Sequence, residues 1–260
     1  MPSLHPETPV AESPGTTKQS DPALSFETRI FSTAELLRQP WLRALTQVIN
    51  EGFGAMAGPV KVAARLRSDT QLAEELNEGD GFTAVAYTAK SDGRFPDDQE
   101  IEVIGTASVK NWLDEGGWHR YPYEHAAGSE PWDANGSGQK GPCDGDYEFA
   151  LVTVRPGEKY RKRGIADHLT GVCEQEILRR LSLKGESRNQ PIRMMVKIVK
   201  ENNAPYWSRK GFTPVAQKTS PKGTWDSLTE FTMWAMVREL SPFGKHGIDI
   251  TVPSGISART

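Results

Sequence analysis

Residues 147–181 read YEFALVTVRPGEKYRKRGIADHLTGVCEQEILRRL, and the fold turns on how this stretch is parsed. Tyr147, Phe149, Leu151, Val152 and Val154 form an apolar, β-prone run that stops at Arg155-Pro156-Gly157. A short basic segment, Glu158 to Ala166, follows. From Ile165 onward, Leu169, Val172, Cys173, Ile177, Leu178 and Leu181 recur at helical spacing and draw one apolar stripe. His168, Glu174, Gln175, Glu176, Arg179 and Arg180 lie between them as a solvated face. Strand, small-residue turn and helix N-terminus in succession suit a phosphate-bearing ligand. The first amides of a helix lack internal partners, and the helix dipole adds partial positive charge there. Gly164 and Ala166 keep side-chain bulk away from the backbone, while Arg161, Lys162 and Arg163 bring full charges. The plainer alternative for these three cations is an exposed turn or an import-type basic cluster.

The spacing narrows the ligand. A Walker-type loop needs Gly-x-x-x-x-Gly-Lys-Ser/Thr and a dinucleotide fold needs Gly-x-Gly-x-x-Gly; neither is present. What stands here is Arg161-x-x-Gly164-x-Ala166. That resembles the Arg/Gln-x-x-Gly-x-Gly/Ala signature of the GNAT superfamily of N-acetyltransferases, whose loop wraps the pyrophosphate of acetyl-CoA. A second segment agrees: Ile192 to Val199 reads as a buried strand, followed by Glu201-Asn202-Asn203-Ala204-Pro205-Tyr206-Trp207 and then Gly211-Phe212. This is similar to the GNAT element of strand, Asn, Ala, short helix, aromatic pair and Gly-Phe, with Gly211 as helix C-cap.

The resemblance implies an α+β fold with a mixed, mainly antiparallel, strongly twisted sheet flanked by helices, and acetyl-CoA as co-substrate. It implies that Arg161, Lys162, Arg163, Gly164, Ile165 and Ala166 enclose the diphosphate. Val152 and Val154 would offer backbone groups to the pantetheine, and Asn202 and Asn203 would contact the cofactor as well. One departure concerns mechanism. Where many members carry a Tyr that protonates the leaving thiolate, this chain has Trp207, with Tyr206 one place earlier. An indole N–H donates a hydrogen bond but delivers no proton. Tyr206 is therefore the candidate acid, against water, against a thiolate that leaves unprotonated, and against simple packing by both aromatics. Packing is the favoured reading for Trp207.

Acetyl transfer to an amine needs a base, because a free alkylamine is mostly protonated at pH 7. Glu148, at the start of the strand, is the base candidate, acting through water; the bland alternative is an exposed strand-end carboxylate. Asp146 is weaker. His168 lies on the polar side of the helix, and His119 and His125 reach the site only if the long loop folds over it. No metal site is expected. The oxyanion would find the backbone N–H near Val152.

The chain has 260 residues, enough for one large domain or two small ones, and a domain of this size buries roughly 70–75% of its unfolded surface. A net charge of −3 gives no long-range attraction to nucleic acid or anionic membrane, so neither is expected as a partner. Cys143 and Cys173 make no disulfide framework, and no apolar run is long enough to span a membrane. The expected compartment is the cytoplasm, with the nucleus left open.

Residues 1–24 are expected to be disordered, 25–240 to form the acetyltransferase domain, and 241–260 to be a tail with at most a small strand at Ile248 to Val252. Strands are expected at Phe26 to Ile30, Phe82 to Tyr87, Ile101 to Val109, from Tyr147, at Ile192 to Val199, from Phe212 to Gln217 and at Leu228 to Val237. Ser32 or Thr33 caps a helix interrupted before Pro40-Trp41, and a second helix covers Asp69 to Glu78, closed by Gly79. A long aperiodic insertion, 113–146, precedes the central strand. By the GNAT resemblance, the acceptor is expected to meet Ile49 to Gly58, that insertion and Gln217 to Asp226. Glu51, Phe53, Glu124, Glu130, Asp133 and Asp226 there suit a small cationic amine. A peptide acceptor and a catalytically inactive acyl-CoA-binding module remain alternatives, as do a monomer and a homodimer.

Overall fold

Ser32 starts the first helix through a capping box: the Glu35 amide donates to Ser32 Oγ at 3.3 Å and the Ser32 amide donates to Glu35 Oε2 at 2.8 Å. The computed structural model describes residues 24–76, 80–89, 101–121, 142–184 and 192–240. Its elements run β1 (Glu27–Ser32), α1 (Thr33–Leu36), α2 (Leu42–Gly54), α3 (Gln71–Leu76), β2 (Phe82–Ala89), β3 (Ile101–Leu113) and β4 (His119–Arg120). They continue with β5 (Pro142–Val154), α4 (Ile165–Leu183), β6 (Ile192–Val199), α5 (Lys200–Arg209), β7 (Thr213–Ser220) and β8 (Phe231–Leu240). The fold is α+β: one eight-stranded sheet in the order β1-β2-β3-β5-β6-β8-β7-β4. Every neighbouring pair is antiparallel except β5–β6.

Alternation along the strands divides the core between the two faces. Ala84, Ala86, Ile104, Phe149, Met194, Val196 and Ile198 point to α4, whose stripe of Ile165, Leu169, Cys173, Ile177 and Leu181 is buried against them. Each such side chain stabilises the fold by roughly 1.5–3 kcal/mol. Val85, Val103 and Leu151 point the other way, against Leu36, Leu45, Val48, Ile49, Leu72 and Leu76 of α1, α2 and α3. Gly211, at φ +81, ends α5, with the Phe212 amide donating to Trp207 O at 3.1 Å.

Several boundaries differ from the sequence reading. β5 begins at Pro142 rather than Tyr147, and β3 runs to Leu113, because Leu113 pairs with Pro142 and carries the ladder past the expected end. A two-residue strand inside the insertion, His119–Arg120, pairs with the outer edge of β7. β8 starts at Phe231 rather than Leu228: the Leu228 amide donates to Lys61 O and Ser227 bridges Val62, so this segment is tied to a loop instead of the sheet. Residues 1–23 of the segment expected to be disordered, the tail 241–260 with its small strand, the Gly79 cap and His125 lie outside the described residues, whereas Leu24 is described and packs against the α4 core.

Candidate active site

β5 and β6 pair from Asp146↔Arg193 to Phe149↔Val196 and then part. At the parting, β5 carries a bulge. Ala150 pairs with Ser108 and Thr153 with Thr106, so Leu151 and Val152 together face one residue of β3, and Leu151 adopts φ +51. Both effects leave backbone groups of β5 and β6 without each other as partners. A cavity of about 670 Å³ occupies the opening.

The turn between β5 and α4 is pinned from behind. Tyr160 Oη donates to Glu102 Oε1 at 2.5 Å, Arg155 Nε donates to Val103 O at 3.1 Å, and Lys159 lies 3.6 Å from Glu102. The Arg161 amide donates to Gly157 O at 2.9 Å. Lys162 and Gly164 then take left-handed conformations, φ +61 and +77, which turn the chain into α4. His168 N is the first amide to close onto the helix, at Gly164 O, 2.9 Å. The amides of Ile165, Ala166 and Asp167 thus precede the first intrahelical bond.

Val152, Val154, Arg161, Lys162, Gly164, Ile165, Ala166, Asn202, Asn203 and Tyr206 all line this one cavity. Arg163 lies beside it, on a shallower recess shared with Gly157, Arg161 and Lys162. Arg161 Nη2 donates to Ala55 O at 3.1 Å. The Asn202 carboxamide is engaged twice by Val60, donating to its carbonyl at 2.7 Å and accepting from its amide at 3.3 Å. Gly58 explains the close approach: a Cβ there would stand 2.0 Å from Asn202 Oδ1. Asn203 Nδ2 donates to Met56 Sδ at 3.4 Å.

Tyr206 Oη donates to Asp167 Oδ1 at 3.2 Å, and Lys210 binds the other oxygen at 2.5 Å. Burial first, then the Asp167 charge, pushes the phenol above its ordinary value. Trp207 stacks on Phe149 with ring centres 6.1 Å apart and meets Phe212 edge-on at 5.0 Å, a packing role. Glu148 is not an exposed strand end: it is 5% exposed, behind the cavity wall. Its Oε2 lies 3.4 Å from Lys197 Nζ, and Lys197 itself is on the wall. Asp146 is buried against Arg193 at 2.6 Å, and burial outweighs that partner to push its carboxyl up to about 6.

Of the histidines, His168 is exposed and meets Thr28 Oγ1 at 3.1 Å. His119 lies on the far edge of the sheet, with β7 and β8 between it and β6. Among the described residues no group of three His, Cys, Asp or Glu side chains is placed to hold a metal. No described helix is long and apolar enough to cross a membrane. Phe53 is on the wall, but Asp226 is held by the Ala64 amide and Arg67, and Glu51 by Gln47. Glu124, Glu130 and Asp133 lie outside the described residues. Sequence reasoning missed Asp167, Lys197, Arg209 and Trp225, which also line the cavity. Asp167, one residue past the signature, was the most accessible of these. Trp225 comes from a turn with φ +52, tied down by the Ala63 amide on Asp226 O.

No protein-family model matches the chain, and none of the curated proteins matches it. Solved structures with a similar course exist. Arabidopsis thaliana NAA60 in complex with a bisubstrate analogue is 21% identical over 84% of this chain and 100% of its own, with a TM-score of 0.45. YncA of Salmonella typhimurium, a putative acetyltransferase solved with acetyl-CoA, is 17% identical over 84% and 95%, TM-score 0.45. The ribosomal-protein-alanine N-acetyltransferase of Brucella melitensis is 16% identical over 82% and 99%, TM-score 0.45. Overlaps this loose say nothing about chemistry, which rests on the cavity itself.

Proposed function

We propose that this chain is an N-acetyltransferase that moves an acetyl group from acetyl-CoA to a primary amine, by direct attack in a ternary complex. The observation that carries the reading is the parted β5–β6 pair opening onto a cationic turn and an uncapped helix N-terminus within one cavity. An extended, amide-bearing arm fits the strand gap. A diphosphate fits the amides of Ile165 and Ala166 at the positive end of α4, where Gly164 presents no side chain. Arg161, Lys162 and Arg163 supply neutralising charge.

Bound acetyl-CoA supplies an activated acyl carbon and a sulfur leaving group. The residues of the chain do the rest. The backbone N–H near Val152, freed by the bulge, donates to the oxygen that gains charge. Glu148 takes the proton of the incoming amine through water, with Lys197 Nζ 3.4 Å from its Oε2. A new C–N bond forms as the C–S bond breaks. Tyr206, on the cavity wall, would be the proton donor to the leaving sulfur, and its hydroxyl donates to Asp167. A thiolate with an ordinary value near 8.5 also departs without that proton.

The acceptor we assign is a small cationic amine, which the aromatic walls Phe53 and Trp225 support. The test is a calorimetric titration with acetyl-CoA followed by turnover on a panel of amines and histone-type peptides. Turnover on small amines is the expected result. Turnover on peptides alone would overturn the acceptor, and tight binding without turnover on anything would select the inactive module.

A further inference from the structure

On the sheet face away from α4, the cavity is walled by Phe53, Met56, Val62 and Trp225. They come from the last turn of α2, the loop that follows it and the turn between β7 and β8. Trp225 and Asp226 stand at φ +52 and +59, two successive left-handed residues without a glycine between them. Such strain persists only where the surroundings over-determine it. Asp226 does so here: its carbonyl accepts from the Ala63 amide, and its carboxylate from the Ala64 amide and Arg67 Nη2, each at 3.1 Å. The indole is thereby held on the cavity wall, stacked on Phe231 with ring centres 5.9 Å apart.

The charge around this apolar end is positive. Arg65 is buried and lines the neighbouring recess, where Glu75 accepts two bonds from it at 2.8 Å each. Its guanidinium lies 5.5 Å from the Trp225 ring centre and 6.0 Å from that of Phe53, so both aromatic rings already carry a cation. Among the described residues, the charged members of the cavity wall are Arg161, Lys162, Lys197, Arg209 and Asp167. Asp167 is the one carboxylate of that set, and Tyr206 and Lys210 occupy its two oxygens. An attacking amine gives up its own proton and reacts neutral. A second ammonium on the same molecule would enter among cations with no open carboxylate to meet.

We propose that Phe53, Met56, Val62 and Trp225 form a subsite for the apolar body of the acceptor, and that the buried Arg65 beside them excludes a second positive charge. The inference rests on the acetyltransferase reading and narrows its small amine to a monoamine with an alkyl or aryl body, to the exclusion of polyamines. Burial of that body against the four side chains supplies the affinity. The strained turn at Trp225 fixes the shape of the subsite.

The experiment measures kcat/KM in the full chain, with acetyl-CoA, for two matched pairs: phenethylamine against ethylamine, and pentylamine against cadaverine, the same chain with an ammonium at each end. Seating the phenyl group should favour phenethylamine by about 10- to 100-fold. Cadaverine should fall below pentylamine by about tenfold or more, because its second charge stays unpaired. Trp225→Ala should bring the first ratio toward one, and Arg65→Gln the second. Equal rates within either pair in the natural chain would overturn the proposal, and so would turnover of a Phe-initiated tetrapeptide with none of the four amines. Calorimetry with the products N-phenethylacetamide and N-ethylacetamide reads the subsite without acetyl-CoA; the phenethyl product should bind more tightly, and equal affinities would reject the subsite alone. Failure of acetyl-CoA to bind would instead reject the acetyltransferase reading.

Discussion

Replacing Gly164 with Val tests the phosphate cradle at its narrowest requirement. Gly164 is at φ +77 and ψ 4, and a Cβ built on it meets no protein atom within 4 Å. The cost to the scaffold is therefore backbone strain without a clash, about 1–2 kcal/mol for an L-residue in the left-handed region. Against a total stability of about 5–15 kcal/mol the variant stays folded, with Tm lowered by roughly 2–8 °C. The ligand fares worse, because the new branched side chain stands where the diphosphate must approach the amides. Losing two hydrogen bonds to a charged group, at about 1.5–3 kcal/mol each, weakens acetyl-CoA binding by roughly 10² to 10⁴-fold. Gly164→Asn is the paired control, since Asn tolerates this conformation while still adding bulk. Calorimetric Kd for acetyl-CoA and Tm by scanning calorimetry give the two readouts. A folded Gly164→Val chain that binds acetyl-CoA as tightly as the natural one would refute the cradle at residues 161–166.

Asn202→Ala removes both bonds to Val60 and should destabilise the protein by about 1–3 kcal/mol, read as a lower urea midpoint at unchanged m. A midpoint equal to that of the natural chain would show that the clamp contributes nothing. Asp146 supplies a pH signature. Its carboxyl is pushed up to about 6 in the fold, above its unfolded value, so the native state binds the proton more tightly. The stability it contributes is greatest below the ordinary aspartate value and is lost as pH rises through about 6, by an amount on the order of 3 kcal/mol. Urea denaturation between pH 4 and 7 should show this fall in the natural chain relative to Asp146→Asn; identical profiles would remove the assignment.

The strand, turn and helix of residues 147–181 were legible because their physics is local. An apolar run, a break at Pro156-Gly157 and a 3.6-residue stripe each need only near neighbours in the chain. The same holds for Ser32 as a cap, for Gly211 as a terminator and for Trp207 as a packing residue. These patterns led to the α+β order, with its single parallel pair left to the fold. Arg161, Gly164 and Ala166 were legible as the turn into a helix N-terminus for the same reason: each signal is local to one helix end.

Glu148, Lys197 and Glu115 were not legible together, since β5, β6 and the β3–β4 turn bring them into contact across gaps of tens of residues. Sequence left Glu148 open between a base and a solvated strand end, and only the sheet face it shares with Lys197 decides its burial. The bulge at Leu151 and the parting of β5 from β6 are likewise properties of pairing register, which no single strand encodes. Periodicity along the chain determines which elements form and which side of each is apolar. Where charges meet, and what each carboxylate is held by, follows from the register between strands, because electrostatic contact depends on distance in space and not on distance in sequence.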